Sequence, residues 1–301
     1  MEKSKTTEPL NDFLERVAFQ KLKKMLFENV GLNCDGYRDE YLKRRFDVRL
    51  KATGSQTYGR YAMYLKKNPA EYQLFLNDLT INYTMFMRDM EVYLYLEKKL
   101  LPKLFASNPV RIWSAGCATG EEPYSLAILV HKILGDTAVN HQVSIFATDI
   151  DKDALAKAAK GEYQKKQLSG LSDMMIDKYF TKEGEKYRVR DFVRSIIRFD
   201  QHDLMKEPLR KSLDLILCRN VMIYFAKESQ QLIHMNFYNA LREDGYFITG
   251  KAEMLSGEPS RKFVSIDIRN RVYQKTKQAN AAVQVGIIQP TVQSQLAFKR
   301  A

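Results

Sequence analysis

The sequence predicts an open, mostly parallel α/β sheet preceded by an all-helical segment, and three observations predict it. Residues 11 to about 80 carry apolar residues near helical spacing and no convincing strand. From residue 110 onward, short apolar runs alternate with helical stretches, the pattern of βα units. Two strand-like runs then close the order, near enough in sequence to form a hairpin at a sheet edge.

In the helical segment, Phe13, Val17, Leu22, Leu26 and Phe27 read as the apolar residues of a first helix that Gly31 stops. A second helix covers about Tyr37 to Thr53. Its Arg38, Arg45 and Arg49 fall within roughly 40° of one another at 100° per residue, beside Leu42, while Phe46 and Leu50 mark the flank that faces a core. That arginine stripe is a candidate docking face for an acidic partner; the plainer reading is a solvated helix face. A third helix runs from about Gly59 to Lys67, where Asn68-Pro69 ends it. Strands are predicted at 110–114, 143–148, 194–200, 213–218, 244–250, 262–267 and 270–275, with helices at about 123–135, 152–160 and 227–242. The stretch between the second and third strands is too long for a single crossover. Residues 172–180 look helical and Glu185 to Val193 alternates like a strand, so a small β-containing insertion is expected at about 172–193. The expected division is 11–80, then 81–276 with its insertion, then a flexible tail at 277–301, rich in Gln, Ala and Val.

The 301 residues suffice for one full α/β domain, a smaller companion and a substantial core. At 45% hydrophobic and 28% charged, the composition is that of a soluble globular protein. No apolar run approaches the roughly 20 residues of a membrane span. Met1 to Pro9 lack the apolar segment of a signal peptide, so a cytoplasmic location is expected. Cys34, Cys117 and Cys218 cannot all pair and match no zinc spacing; they read as small buried thiols, although Cys117 and Cys218 end two strands that could be neighbours. The four histidines are scattered and suggest no metal cluster. A net charge of +12 admits a polyanionic partner, either nucleic acid or an acidic protein surface, or simply a lysine-rich solvated surface.

The chemistry concentrates in Val110-Arg-Ile-Trp-Ser-Ala-Gly-Cys-Ala-Thr-Gly-Glu-Glu-Pro-Tyr-Ser125 and in Ser144-Ile-Phe-Ala-Thr-Asp149. An apolar strand enters a glycine-containing turn, the turn opens a helix, and a second strand ends on a carboxylate. Gly116 and Gly120 leave backbone room, Pro123 suits a first helical turn, and Asp149 can hold ribose hydroxyls. The glycines do not spell Gly-x-Gly-x-x-Gly. Glu121 and Glu122 stand where a pyrophosphate would need positive charge or bare amides. A cofactor with a ribose and no phosphates is therefore implied, and S-adenosylmethionine, whose sulfonium is a cation, fits. Asp149, Asp203, Arg219, Asn220 and Tyr224 all follow strand ends, beyond which ligands sit in open α/β sheets.

Four segments in this order carry a resemblance: Asn82-x-Thr84-x-Phe86-x-Arg88, Trp113 to Ser125, Ala147-Thr-Asp149-Ile-Asp151, and Cys218-Arg-Asn-Val-Met-Ile-Tyr-Phe225. Over about residues 12 to 275 the chain resembles the chemotaxis receptor glutamate O-methyltransferases, the CheR family. The resemblance implies an all-helical amino-terminal domain and a class I S-adenosylmethionine-dependent methyltransferase (Rossmann-like) sheet with an inserted β-subdomain. It also implies methyl transfer to glutamate side chains on the cytoplasmic helices of methyl-accepting chemotaxis receptors, with S-adenosylhomocysteine as the other product. Asn82, Thr84, Arg88, Glu122, Asp149, Asp203, Leu204, Arg219 and Asn220 match the family's cofactor-contacting positions, and Tyr224 matches a tyrosine close to the transferring methyl. The chain departs from the family at Met87, a usual Phe, at Asp203, often Asn, and at Lys251-Ala252-Glu253, often His-Ser-Glu. The insertion near Lys182 to Tyr187 lacks the Gly-x-Gly turn of members that dock on a receptor's carboxy-terminal peptide, so no such tether is expected.

A glutamate is ionised at neutral pH, its free pKa being about 4.3, so methylation needs alignment and a dry site rather than a general base. On this reading Arg88 pairs with the cofactor carboxylate and Asp149 binds the ribose. Glu122 binds cofactor, stabilises its helix N-terminus, or both. Arg219 and Asn220 hold the cofactor or orient the incoming carboxylate, and Tyr224 places its hydroxyl by the sulfonium. Tyr224, Arg88 and Arg219 are the candidate catalytic residues. A monomer is expected, with no metal, nucleic-acid or membrane partner. Two alternatives stand beside it. An RNA or DNA methyltransferase would often need an Asn/Asp-Pro-Pro-Tyr/Phe motif after the fourth strand, which is lacking. A catalytically silent, cofactor-sensing scaffold would not need Asp149, Arg219 and Tyr224 together.

Overall fold

A computed structural model describes residues 8–135 and 142–276; the tail expected at 277–301 lies outside the described residues. Four helices open the chain: α1 (Glu8–Val30), α2 (Asp39–Thr53), α3 (Tyr58–Lys67) and α4 (Ala70–Leu79). Thr57 caps α3 by accepting the Arg60 amide, and the left-handed Gly54 ends α2. Phe46 of α2 is fully buried and stacks on Phe75 of α4 with ring centroids 4.6 Å apart. In α1 the inward stripe is Phe19, Leu22, Met25 and Leu26, all buried. Phe13, Val17 and Phe27, expected inside, are 54%, 51% and 61% exposed. They lie roughly 140° to 180° around the helix from Leu22, on the face away from its partners.

The next helical stretch joins α5 (Met90–Tyr95), a π-helical turn at Leu96–Leu100 and α6 (Leu101–Leu104). The main sheet then assembles from β1 (Val110–Ala115), β2 (Val143–Asp149), β6 (Ile197–Gln201), β7 (Leu213–Cys218), β8 (Leu241–Thr249), β9 (Phe263–Asp267) and β10 (Val272–Lys275), in the order β6-β2-β1-β7-β8-β10-β9. The first five are parallel, and the β9–β10 hairpin closes the edge antiparallel. All six residues of β7 are buried, as a central strand covered on both faces requires. Helices α7 (Glu121–Leu134), α8 (Lys152–Lys160) and α11 (Lys227–Ala240) make crossovers.

The insertion is a second sheet of three strands, β3 (Glu162–Gln164), β4 (Phe180–Glu183) and β5 (Lys186–Val189), with α9 (Asp173–Tyr179) and α10 (Asp191–Arg194) beside them. It begins earlier than the expected 172, because β3 follows directly on Gly161, which ends α8 in the left-handed region. Tyr163 of β3 is buried and its hydroxyl donates to the Thr119 carbonyl at 2.7 Å, tying this sheet to the loop after β1.

One core packs α5 to α7 and the insertion against the sheet; the other joins α1 to α4 and α11 to its opposite face through Trp113, Phe237 and Phe247. The helical unit meets the loop after β7. Tyr37 stacks on Phe225 at 4.7 Å, the Arg38 amide donates to the Tyr224 carbonyl at 3.1 Å, and the Ala226 amide donates to Gly36 at 2.8 Å. A Cβ on Gly36 would lie 2.1 Å from the Met205 sulfur, so the end of that methionine would have to shift to admit a side chain here. Among the described residues, no helix is long and apolar enough to cross a membrane, and no group of three or more His, Cys, Asp or Glu could hold a metal. The three cysteines are buried and free.

Candidate functional site

A cavity of about 930 Å³, counted to its open mouth, lies beyond the carboxyl ends of β1, β2 and β7, where the strand order turns back on either side of β1. The loop after β1 forms its floor. Gly116 has φ +77°, and a Cβ there would stand 2.6 Å from a Val221 methyl on the β7 loop. The amides of Gly116 and Cys117 donate to the Thr148 carbonyl at 2.8 and 2.9 Å, and the Ala118 amide donates to Asp149 Oδ2 at 2.8 Å. Asp149 Oδ1 accepts the Asp151 amide at 3.0 Å. Burial raises the Asp149 pKa above its usual value despite these amides. Each carboxylate oxygen retains a lone pair to face the cavity.

The β7 end supplies a buried charge. Arg219, its side chain 2% exposed, donates to the Arg88 carbonyl at 2.8 Å and to Asp89 at 2.6 Å, and stands 3.6 Å from Glu122 Oε2. Glu122 Oε1 accepts the Ser114 hydroxyl at 2.8 Å; burial raises its pKa, and the Arg219 charge opposes the shift. Arg219 is therefore clamped between carboxylates by its terminal nitrogens while still lining the cavity. Asn220 sits at φ +61°, a strained position that Asn tolerates. Its amide donates to Glu253 at 2.9 Å, and the same carboxylate accepts the amides of Gly250 and Met222 at 2.7 and 2.8 Å. Sequence reasoning assigned nothing to Glu253, yet it fixes the whole turn. Burial raises its pKa, and those amides oppose the shift.

Residues 79–88 close one wall. Asp151 caps α8 through the Asp153 and Ala154 amides, and its other oxygen accepts the Thr80 hydroxyl at 2.6 Å and the Asn82 amide group at 2.7 Å. Burial pushes the Asp151 pKa up, but these donors outweigh it and hold the group below its usual value. Arg88 donates to the Tyr83 carbonyl at 3.0 Å and lies over the Tyr83 ring. Among the described residues no carboxylate pairs with it within 4.0 Å.

Every residue expected to touch the cofactor or the transferred group, from Asn82 to Tyr224, lines this cavity. Arg38, Arg45 and Arg49 do not. Arg49 points inward: its Nε and a terminal nitrogen donate to the two Glu71 oxygens at 2.8 Å each, and its other terminal nitrogen to Asp78 at 2.8 Å. It is thus a structural ion pair rather than a free docking cation, because α4 lies against that side of α2. Arg38 is exposed but gives its Nε to the Phe225 carbonyl at 3.1 Å, and Arg45 lies 5.3 Å from the Tyr41 ring centroid. Sequence reasoning missed Tyr37 and Tyr41 as cavity walls contributed by the helical unit, and it missed His202. Tyr41 packs against Tyr224 with centroids 4.8 Å apart. Spacing gave no signal, since Tyr37 is extended backbone before α2 and Tyr41 lies within it.

The cavity suits a ribose-bearing cation that also carries a carboxylate. Asp149 offers acceptors, and Arg88 offers an unpaired cation. Asn220 Oδ1, Arg219 Nε and His202 Nε2 are buried polar atoms without a protein partner, all on lining residues. Such atoms are costly unless a ligand satisfies them.

Two family models match this chain: the all-alpha domain of CheR methyltransferases over residues 18–80, and their SAM binding domain over residues 82–272. The chemotaxis protein methyltransferase of Borreliella burgdorferi is 30% identical over 266 residues, covering 85% of this chain and 94% of that protein. That of Listeria innocua is 33% identical over 234 residues, covering 77% and 88%, and that of Salmonella typhimurium is 32% identical over 246 residues, covering 79% and 84%.

Proposed function

The chain belongs to the CheR methyltransferase family, and from that premise we propose that it methylates glutamate side chains on the cytoplasmic helices of chemotaxis receptors. Its cofactor is S-adenosylmethionine, which supplies an electrophilic methyl on a sulfonium. One observation supports the acceptor: Tyr224 lines the cavity and packs on Tyr41 with ring centroids 4.8 Å apart, and the Arg45 guanidinium lies 5.3 Å from that same Tyr41 ring, so a cation stands beside the phenol where an incoming carboxylate would lie. Burial raises the Tyr224 pKa, the Glu253 charge adds to the shift and the Arg88 and Arg45 charges oppose it, so at neutral pH the phenol is a hydrogen-bond donor.

The chain's residues divide the work. Arg88 takes the cofactor's carboxylate, Asp149 the ribose hydroxyls, and Gly116 lets the cofactor approach the backbone. Asn82, Thr84, Asp203, Leu204 and Asn220 complete the contacts, while Glu122 and Arg219 hold the floor between them. Tyr41 and Tyr37 exclude water from the side of the helical unit, and Tyr224 aligns the incoming oxygen. The acceptor is already an anion and gives up no proton, so no base is required. Arg38 and Arg45 flank the mouth, beside Phe225 and Tyr41, where a glutamate-rich helix would meet them. Methyl-labelled S-adenosylmethionine and a receptor cytoplasmic fragment test this. Base-labile label on the receptor, released as methanol, is the expected result; base-stable label, or label on nucleic acid instead, would reject the glutamate assignment.

A further inference from the structure

We propose that Glu253 is a positioning residue for methyl transfer: it holds the turn that aims the Tyr224 hydroxyl, and so sets turnover rather than cofactor affinity. Glu253 is 4% exposed, and its two carboxylate oxygens divide their partners. Oε2 accepts the amides of Asn220 and Gly250 at 2.9 and 2.7 Å, whereas Oε1 accepts the Met222 amide at 2.8 Å. Met222 opens the short helical turn Met222–Tyr224, whose last residue lines the cavity and packs on Tyr41. One oxygen therefore serves a residue assigned to the cofactor, and the other serves the turn that carries Tyr224.

The turn needs such an anchor. Asn220 is left-handed at φ +61°, a conformation that persists only where the surroundings over-determine it. Other groups hold the turn by its carbonyls: Gln230 donates to the Met222 and Phe225 carbonyls at 2.9 and 3.1 Å, and the Arg38 amide donates to that of Tyr224 at 3.1 Å. The amides that open the turn rest on Glu253. The carboxylate can reach them because residue 250 is glycine: a Cβ there would stand 2.7 Å from both the Asn220 nitrogen and Glu253 Oε2. The Glu253 amide donates back to the Gly250 carbonyl at 2.9 Å and closes the loop on itself. A phenol misplaced by about 1 Å no longer meets an acceptor oxygen in line with methyl and sulfur, a loss of roughly 100-fold.

This inference rests on the glutamate acceptor and on Tyr224 as the group that aligns it. Glu253→Gln tests it, because a carboxamide has one acceptor oxygen and one donor nitrogen. With its oxygen on Asn220 and Gly250 it keeps two of the three bonds and turns its nitrogen on the Met222 amide, so the damage falls on the Tyr224 turn. Turnover is measured on the full chain with methyl-labelled S-adenosylmethionine and saturating receptor cytoplasmic fragment, and S-adenosylhomocysteine affinity by calorimetric titration. Turnover is expected to fall roughly 10- to 100-fold, with affinity held within about threefold. In a Tyr224→Phe background the same change should cost less than about threefold more, the non-additivity of two residues that act as a unit. Glu253→Asp, which keeps the charge on a shorter arm, serves the same cycle if the first variant folds poorly. Turnover within about twofold of wild type, affinity that falls as far as turnover, or equal losses with and without the Tyr224 hydroxyl would each overturn the assignment. The failures can be told apart. Wild type that binds S-adenosylhomocysteine but leaves the receptor unlabelled rejects the acceptor, and this inference with it. Tyr224→Phe at full turnover removes the group that Glu253 is held to act through, and again both fail. A slowed Tyr224→Phe beside additive Glu253 losses misassigns Glu253 alone.

Discussion

Arg49→Met removes a cation that the structure makes internal, and its cost can be worked from the contacts. Arg49 and Glu71 form two parallel hydrogen bonds of 2.8 Å, with side-chain exposures of 13% and 3%. Asp78 adds a third contact at 2.8 Å, and the Tyr61 hydroxyl donates to Glu71 at 2.9 Å. Removing one partner of a buried pair costs about 3–5 kcal/mol, because the other charge remains buried. Arg49 retains some solvent, which puts the expectation near the lower bound. At roughly 2–4 °C per kcal/mol for a chain of this class, the melting temperature should fall by about 6–12 °C. Urea and thermal unfolding measure this, and S-adenosylhomocysteine affinity, titrated alongside, should stay within about twofold. Glu71→Gln should destabilise as well, and the double variant should cost at least about 1 kcal/mol less than the two single changes added together, because the pair is coupled. A variant that unfolds like wild type to within about 0.5 kcal/mol but shows a raised receptor KM would refute this reasoning and restore Arg49 to a docking face.

Three further outcomes follow from the site. Arg88→Met should weaken S-adenosylhomocysteine binding by about 10- to 150-fold, the loss of a charged hydrogen bond; a loss below about threefold would detach Arg88 from the cofactor carboxylate. Tyr224→Phe should lower turnover at saturating substrate while leaving cofactor affinity intact, and unchanged turnover would remove Tyr224 from the mechanism. Asp151→Asn turns an amide nitrogen toward the donors of Thr80 and Asn82 and should destabilise the protein at neutral pH. The folded pKa of Asp151 is depressed, so its stabilisation is present above the unfolded value and is lost as pH falls through the folded one. The melting-temperature gap between wild type and variant should therefore hold from pH 8 to pH 5 and close below about pH 4; a gap that widens on acidification would contradict the account.

The sheet was legible because each parallel strand is an apolar run set between helical stretches, and the cavity was legible because its polar residues follow those runs directly. Other features are set by contacts distant in sequence. The stripe of Arg38, Arg45 and Arg49 is a true angular feature of α2, but periodicity does not see that α4 brings Glu71 and Asp78 against one end of it. The stretch from Met90 to Leu104 was left unassigned, although Leu96, Leu100, Leu101 and Leu104 are buried at helical spacing across its π-helical turn. Strand β3 is only three residues long, below what alternation can reveal. Glu253 carried no motif because it binds backbone amides of the β7 turn.

The central claim is that residues 79–88, the strand-end loops and the helical unit together form one S-adenosylmethionine site. A crystal structure with S-adenosylhomocysteine tests it most directly. The account predicts the ligand carboxylate on the Arg88 guanidinium, ribose hydroxyls on Asp149, and the purine beside Asp203 and Leu204. A ligand bound outside this cavity, or reversed with its purine at Arg88, would contradict it.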